Sequence, residues 1–285
     1  MRATQFSLSA VGAAGHRAMH QRLEGGGIFA DPLARDILDD DEWRAAENQA
    51  AAPAGRPMRL FMAARSRLAE DTIAAAVARG VRQAVVLGAG LDTFSLRNPH
   101  AGAGLRVFEV DHPETQASKM LRLERIATRP LHWPRFVPVD FETQRLGQAL
   151  DTAGFDDSRP AVFMWLGVIM YLTTEAARST LAYVGGIPGA EIVFDYTEPL
   201  ENYTPARRAP MVALAERLAQ LGEPWLSLFD PPALAAELQR LGFVEMEDLD
   251  LAAIAGRFPA MFAGISPSGA GPHVMIARNF AAGPG

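Results

Sequence analysis

The sequence contains no cysteine, which excludes several kinds of chemistry at once. Without thiols the chain can form no disulfide bond, bind no metal through thiolates and use no cysteine nucleophile. A chain without disulfides suits a reducing compartment, so we expect a cytoplasmic location.

Long apolar runs are also missing. The longest, residues 161–172, is too short to span a bilayer and is bounded by Pro160 and Thr173. An export signal needs an unbroken apolar stretch, and polar side chains interrupt the stretch near the start of this sequence: Arg2, Gln5, Ser7 and Ser9. We therefore expect no export signal and no membrane partner.

No run of Lys and Arg forms a basic stripe, and the net charge is −6 with a pI near 5.6. Binding to a phosphate backbone depends on such a stripe, so we expect no nucleic-acid partner. The 285 residues are 49% hydrophobic, which is enough for one cooperative domain. We divide it into a helical extension (1–60), a core (61–199), a cap (200–228) and a C-terminal part of the sheet (229–285).

From about residue 81 onward, short β-rich runs alternate with helical patterns. This rhythm predicts βαβ units around a mainly parallel sheet, so the fold class is α/β with a doubly wound, Rossmann-like sheet. Seven strands are predicted, the last two as an antiparallel hairpin: residues 84–87, 106–110, 136–139, 161–166, 192–194, 244–249 and 274–277.

One helix is predicted before the first strand, at residues 66–79, and three between later strands: residues 113–127, 174–184 and 232–241. Asp230 is a candidate N-cap, and Gly80 and Gly242 suit the position that follows a helix.

Other segments fall outside this rhythm. Residues 201–221 are helical in pattern, and we expect them to cover the substrate as a lid. In the first 60 residues we expect two helical pieces separated by the three glycines at 25–27. Residues 48–57, rich in Ala, Pro and Gly, are expected to form a mobile loop.

The strongest motif is VVLGAGLDT at residues 85–93, where an apolar strand enters Gly88 and Gly90. Glycine lets the backbone approach a ligand closely, and open α/β sheets bind ligands at the carboxyl ends of their strands. The second strand ends at Asp111, whose carboxylate can accept hydrogen bonds from both hydroxyls of a ribose. The third ends at Asp140 and Phe141, beside which an adenine can lie flat and offer its amino group to the carboxylate.

A tight turn or a helix cap would explain each of these features alone. All three lie at the ends of predicted strands, however, and together they predict a nucleoside site. The dinucleotide motif G-x-G-x-x-G needs a third glycine, and Thr93 occupies that position. Asp92 would also lie close to a pyrophosphate, and the two negative charges would repel each other. A cofactor without phosphates, S-adenosylmethionine (SAM), fits better. A nicotinamide-dependent oxidoreductase is the alternative enzyme class.

The sequence resembles a known family, the leucine carboxyl methyltransferase-like, SAM-dependent O-methyltransferases. The resemblance covers most of the chain and rests on the order and spacing of these runs: SLSA (7–10), RA (17–18), IFADPLA (28–34), ARSR (64–67), LGAGLDT (87–93), FEVDHP (108–113), VDF (139–141) and MYL (170–172). It implies a class I methyltransferase fold and SAM as cofactor, with S-adenosylhomocysteine (SAH) as product. It also implies a small-molecule methyl acceptor, in secondary metabolism.

The resemblance further implies roles for single residues. Arg65 would bind the methionine carboxylate, for which a planar guanidinium is well suited. Arg17 would be a second cation in the same site. We therefore expect Arg65→Ala to lower SAM affinity and to leave folding little changed. The other implied cofactor contacts are Gly88, Ala89, Gly90, Asp111, His112, Asp140, Phe141 and Leu166.

Two positions depart from the family pattern. Leu166 stands where the family usually has Glu, and Phe94 stands where Arg is frequent. These departures motivate a third hypothesis, a non-catalytic SAM-binding protein.

Methyl transfer from a sulfonium is an in-line displacement, so the enzyme mainly has to align the acceptor and exclude water. A carboxylate acceptor is already ionised at neutral pH, whereas a phenol benefits from a base, and both stay open. Tyr171, after the fourth strand, is the candidate catalytic residue; a core tyrosine is the alternative.

Six histidines form neither a nucleophile pair nor a metal-ligand spacing, so we expect no metal and no catalytic histidine: His16, His20, His100, His112, His132 and His273. Four aromatic residues are candidates for a substrate pocket: Trp165, Tyr196, Tyr203 and Trp225. The sequence leaves the oligomeric state open.

Overall fold

One seven-stranded sheet organises the protein. Its computed structural model describes residues 8–126, 132–265 and 269–281. The strands are β1 Gln83–Leu87, β2 Arg106–Asp111, β3 Arg135–Pro138, β4 Val162–Trp165, β5 Glu191–Thr197, β6 Glu245–Leu249 and β7 Pro272–Arg278. All seven predicted strands are therefore present, with ends that shift by a few residues.

The sheet order is β3-β2-β1-β4-β5-β7-β6. The strands β1 to β5 pair in parallel, and β7 runs antiparallel between β5 and β6, which confirms the predicted C-terminal hairpin. The chain leaves β1 for β2 and β3 on one side and then returns to β4 on the other. Such a switch opens a crevice outside the carboxyl ends of the strands, where doubly wound sheets bind ligands.

The two faces of the sheet pack into two separate apolar cores. Because side chains alternate along a strand, Val85 and Leu87 enter one core and Ala84 and Val86 enter the other. Strands that are apolar on both faces are typical of a sheet covered by helices on both sides.

Ten α-helices accompany the strands in the described part of the chain. They are α1 Leu8–Leu23, α2 Asp40–Ala50, α3 Arg56–Ala78, α4 Phe94–Arg97, α5 Pro113–Leu123, α6 Leu146–Thr152, α7 Thr174–Gly185, α8 Pro205–Gln220, α9 Pro231–Arg240 and α10 Leu251–Arg257. Ala127, the predicted end of the second helix, lies outside the described residues, as does Ser7 of the first motif.

The segment expected to be a loop, residues 48–57, is largely helical. α2 continues to Ala50, a short 3-10 turn follows at Pro53–Gly55, and α3 begins at Arg56. Pro57 does not break α3, because its missing N–H is not needed in the first turn of a helix. The predicted helix at 66–79 is therefore only the second part of a longer one.

The predicted lid is confirmed as a helix, α8, and none of its residues is buried. The caps are confirmed as well: Asp230 accepts a hydrogen bond from the N–H of Ala233, and Gly80 and Gly242 have φ angles of +97° and +98°. The sequence did not predict α6 and α10, whose seven residues each form a weak helical pattern. No described helix is long and apolar enough to cross a bilayer.

Candidate active site

The glycine turn lies at the carboxyl end of β1. Gly88 and Gly90 have φ angles of +61° and +44°, which favour glycine. A Cβ atom on Gly88 would lie 2.3 Å from Cγ2 of Val168, so any larger residue would displace the turn after β4. Ala89 connects the turn to the next strand through a hydrogen bond from its N–H to the carbonyl of Val110. The backbone is thus fixed in a shape that only these small residues allow.

Asp111 lies beside this turn, as predicted from its position at the end of β2. One carboxylate oxygen accepts a hydrogen bond of 2.5 Å from the N–H of Gly90, and the other accepts one of 2.7 Å from the N–H of His112. Burial raises the pKa of Asp111. Each oxygen keeps a further lone pair, so a ribose with two hydroxyls can be bound by the same carboxylate.

Asp140 follows β3 and caps its own turn. Its carboxylate accepts hydrogen bonds from the Thr143 hydroxyl at 2.8 Å and from the N–H of Glu142 at 3.0 Å. The Thr143 hydroxyl holds the pKa of Asp140 below its usual value, and His112 adds to this effect. His112 is exposed and caps the N-terminus of α5 through its Nδ1 atom, 3.4 Å from the N–H of Glu114. Asp140 and His112 therefore flank the ends of two neighbouring strands.

Phe141 is half-buried, and its ring lies 6.4 Å from that of Trp165 at a tilt of 33°. It also borders a groove between α6 and α7. Its contact with adenine stays a prediction.

Arg65 lies on α3 and is almost completely buried. Its Nη1 atom donates a hydrogen bond of 2.5 Å to Asp195 on β5. The other oxygen of Asp195 accepts a hydrogen bond of 2.5 Å from the N–H of Gly167. A Cβ atom on Gly167 would lie 3.1 Å from Nη2 of Arg65, so the guanidinium lies against this glycine. One buried carboxylate thus connects α3 to the turn after β4.

Asp195 was not among the residues predicted from the sequence. In the sequence, Asp195 is marked by its position directly after the apolar run IVF in a buried strand. A charged residue in such a strand needs a partner, because an unpaired buried charge is very costly. Arg65 is 130 residues away, and no local pattern connects the two.

Arg17 is bound to protein groups. Its Nε atom donates to Asp31 at 2.9 Å, and its Nη2 atom donates to the carbonyl of Leu91 at 2.8 Å. Asp31 also accepts a hydrogen bond from Thr93, at 2.6 Å. This network attaches α1 to the glycine turn. The contacts favour a supporting role for Arg17, and its predicted direct contact with the cofactor stays a prediction.

Tyr171 lies in a 3-10 turn after β4, Ile169–Tyr171. The side chains of Ser9 and Trp225 hydrogen-bond to its hydroxyl, and burial raises its pKa. The carboxylate of Glu223 is close by, because it accepts a hydrogen bond of 3.1 Å from the N–H of Ser9. Tyr171 thus faces the start of α1 and the segment after α8.

Three of the four aromatic candidates for a substrate pocket are buried in the protein interior: Trp165, Tyr196 and Tyr203. Trp225 is partly exposed.

Phe94 and Leu166, the two residues that depart from the family pattern, both make apolar contacts. Phe94 is completely buried in the core beneath the glycine turn, and Leu166 packs against the same core.

His16 is a second residue whose position the sequence did not reveal. Its Nδ1 atom is buried and has no hydrogen-bond partner within residues 8–126, 132–265 and 269–281. Burial, together with Arg65 and Arg59, lowers the pKa of His16 to about 4. The imidazole is therefore neutral at physiological pH.

The chain belongs to the leucine carboxyl methyltransferase family, because its residues 10–185 match the model of that family. YktD of Bacillus subtilis, which is assigned as a SAM-dependent methyltransferase, is 32% identical over 278 residues, 87% of this chain and 90% of YktD. A Mycolicibacterium gilvum protein with the same assignment is 32% identical over 204 residues, 68% of this chain and 65% of the relative. The protein is a SAM-dependent methyltransferase, as the sequence predicted.

Solved structures confirm the predicted fold class. A DUF574-family protein from Streptomyces avermitilis superposes with a TM-score of 0.58 at 17% identity, covering 93% of this chain and 96% of the other. A Thermobifida fusca protein assigned as a methyltransferase also has a TM-score of 0.58, at 16% identity, covering 98% and 96%. The architecture is that of the class I methyltransferases.

The residues at the sheet edge fit SAM better than a dinucleotide. The glycine turn, the carboxylate of Asp111 and the cation of Arg65 match in chemical type the methionine tail, the ribose and the carboxylate of SAM. The Asp92 carboxylate accepts a hydrogen bond of 2.8 Å from the N–H of Phe94, so the helix start that a pyrophosphate would need already holds an anion. The family assignment and this contact both count against the nicotinamide alternative.

Proposed function

We propose that this methyltransferase transfers the methyl group of SAM to an oxygen of a small molecule, a hydroxylated compound of secondary metabolism. The observation that supports it most directly is the group of uncharged donors and one carboxylate around Tyr171. The polar side chains of this group come from α1, the turn after β4 and the segment after α8.

In this proposal SAM would be held at the carboxyl ends of β1 to β4. Asp111 would bind the ribose, and Asp140 with Phe141 and His112 would bind the adenine. Nη1 of Arg65 donates to Asp195. The Nε and Nη2 atoms of Arg65 would bind the methionine carboxylate, because a guanidinium can donate two parallel hydrogen bonds to a carboxylate. Gly88, Ala89 and Gly90 supply backbone contacts, and Leu166 and Arg17 support the site from behind.

The charges near Tyr171 favour a hydroxyl acceptor over a carboxylate. Glu223 contributes a carboxylate, and three buried arginines of α1 and α3 are already paired with carboxylates: Arg65 with Asp195, Arg17 with Asp31 and Arg59 with Glu24. A carboxylate acceptor would be brought next to Glu223 without a new cation, and like charges repel. An acceptor hydroxyl can instead donate a hydrogen bond to the carboxylate.

The bound cofactor supplies a methyl group that is electrophilic because it is attached to a sulfonium. The protein has to align the acceptor oxygen with it and keep water out. Tyr171 and Trp225 position the acceptor and α8 covers it. Glu223 accepts the hydrogen bond of the acceptor hydroxyl and takes up the proton that the hydroxyl loses as its oxygen is methylated. The rate advantage comes from alignment, so no metal is required; the described residues contain no group of three possible metal ligands.

The test uses pairs of aromatic compounds that share a skeleton and differ only in a phenol or a carboxylic acid. Formation of SAH and of the methylated product is followed by mass spectrometry. We expect turnover of phenols, with carboxylic acids at least tenfold slower. Methyl esters as the main products would contradict the hydroxyl preference. SAH binding without turnover of any pair would contradict O-methylation of such compounds and favour the non-catalytic hypothesis.

A further inference from the structure

His16 carries a buried hydrogen-bond acceptor that no described residue uses. The imidazole is neutral, so one of its ring nitrogens bears a lone pair and the other bears a proton. Nδ1 is buried and has no partner among the described residues. Buried polar atoms in native proteins almost always have a partner, and a bound ligand is one reason for an exception.

The position of His16 on α1 directs it toward the methionine end of the site. Ser9 and His16 are seven residues apart, which is two helical turns, and so share one face of α1. Ser9 contacts Tyr171 on that face. Between them lies Ala13, whose methyl group occupies little space.

The adjacent face of α1 lies on the glycine turn. A Cβ atom on Gly90 would lie 3.2 Å from Cβ of Ala10, and Arg17 donates to the carbonyl of Leu91. His16 therefore lies between the glycine turn and Arg65 on α3, the proposed partner of the methionine carboxylate.

The chemistry of the methionine moiety matches this arrangement. Its carboxylate and its α-ammonium group are attached to the same carbon, so a ligand that reaches Arg65 with one places the other close by. An ammonium group is a donor and needs acceptors. Arg65 and Arg59 are each paired with a carboxylate, which offsets their repulsion of a ligand cation. Asp195 is committed to Arg65 and Gly167.

We propose that Nδ1 of His16 accepts a hydrogen bond from the α-ammonium group of SAM, while Arg65 binds the carboxylate on the same carbon. His16 is then a cofactor-binding residue that recognises the amino acid character of the ligand. The proposal depends on the use of SAM and not on the nature of the methyl acceptor.

The experiment compares two ligands by isothermal titration calorimetry, SAH and an analogue of SAH that lacks the α-amino group. In His16→Leu we expect the affinity for SAH to fall about ten- to hundredfold, the usual worth of a hydrogen bond to a charged group. The affinity for the deaminated analogue should stay within about twofold of the native value, because that ligand never makes the contact. An equal loss for both ligands, or no loss for SAH, would overturn the proposal.

Two controls separate recognition from folding. His16→Asn places an amide oxygen near the position of Nδ1 and should retain most of the SAH affinity. His100→Leu changes a histidine that precedes β2, at the opposite edge of the sheet, and should leave both affinities unchanged. Thermal melting without ligand shows whether each variant folds.

If His16→Leu does not fold, the native protein labelled with ¹⁵N-histidine answers the question. The Nδ1 resonance of His16 is identified as the one that is absent from the spectrum of His16→Asn. We expect SAH to shift this resonance and the deaminated analogue to leave it in place. The same shift with both ligands, or with neither, would overturn the proposal.

Discussion

The two halves of the cofactor edge are built in different ways. In the nucleoside half, Gly90 and Asp111 lie at the ends of adjacent strands and contact each other across 21 residues. In the methionine half, Arg65 contacts Asp195 across 130 residues, and both are buried. The first half depends on backbone geometry at strand ends, and the second depends on a buried ion pair. Damage to the second half should therefore affect folding as well as binding.

The largest effect is expected for Arg65→Ala. It leaves the buried carboxylate of Asp195 unpaired, which should cost about 3–5 kcal/mol of unfolding free energy. This corrects the expectation from sequence that folding would be little changed. SAH affinity should fall about thirty- to thousandfold, because the ligand carboxylate also loses its partner. Urea unfolding and calorimetry measure the two losses.

The matched control is the double variant Arg65→Met with Asp195→Asn. The asparagine can still accept the hydrogen bond from Gly167, and no unpaired charge remains. We expect most of the stability to return while SAH affinity stays low. A single variant as stable as the native protein would contradict the buried pair.

In the nucleoside half, Asp111→Asn should lower SAH affinity more than stability. Burial raises the pKa of Asp111, so the charged form is disfavoured there and loss of the charge should itself change stability little. One of the two backbone N–H groups loses its acceptor, which should cost about 1 kcal/mol of unfolding free energy. SAH affinity should fall by about 1.5–3 kcal/mol, since only one oxygen remains for the ribose and the two N–H donors. A large loss of stability with unchanged affinity would show that Asp111 only supports the turn.

The pH dependence of stability tests the methionine half through His16. Its pKa is about 4 in the folded protein, against the ordinary histidine value of 6.5, so the unfolded chain binds more protons between these values. Stability from this group is fully present above pH 6.5 and is lost as the pH falls toward 4, by about 3 kcal/mol. The charged groups that face it are Arg65 and Arg59.

His16→Asn removes this titration. The unfolding free energy of the native protein minus that of the variant should therefore fall by about 3 kcal/mol between pH 7 and pH 4. His20, His100 and His273 titrate in both proteins and cancel in the difference. A difference that does not vary with pH would show that His16 is not held neutral.

The smallest effect is expected for Asp140→Ala. The side chain caps an exposed turn, so stability should fall by only about 0.5–1 kcal/mol. SAH affinity should fall less than tenfold, because one exposed hydrogen bond to adenine competes with water. Equal binding of analogues with and without the adenine amino group, in the native protein, would contradict the predicted contact.

The contrast between the two halves also explains how much the sequence could predict. Strand ends follow apolar runs, so the glycine turn, Asp111 and Asp140 could be located along the chain and placed at one edge of a sheet. Tyr171 could be placed near that edge in the same way. The helix α8 was predicted from its own pattern.

Long-range contacts could not be predicted in this way. The pairing of Arg65 with Asp195 depends on how α3 packs across β5. The burial of Nδ1 of His16, without a partner among the described residues, depends on which face of α1 meets α3. Residues 48–57 were misassigned because Ala, Pro and Gly also occur at helix starts, where Pro57 is tolerated in the first turn.

The central claim is that the carboxyl edge of the sheet binds SAM through both halves. Calorimetric titration of the native protein with SAH and, separately, with NADH tests it most directly. We predict one SAH per chain and no binding of NADH. Absence of binding to both SAM and SAH, or displacement of SAH by NADH, would contradict the account.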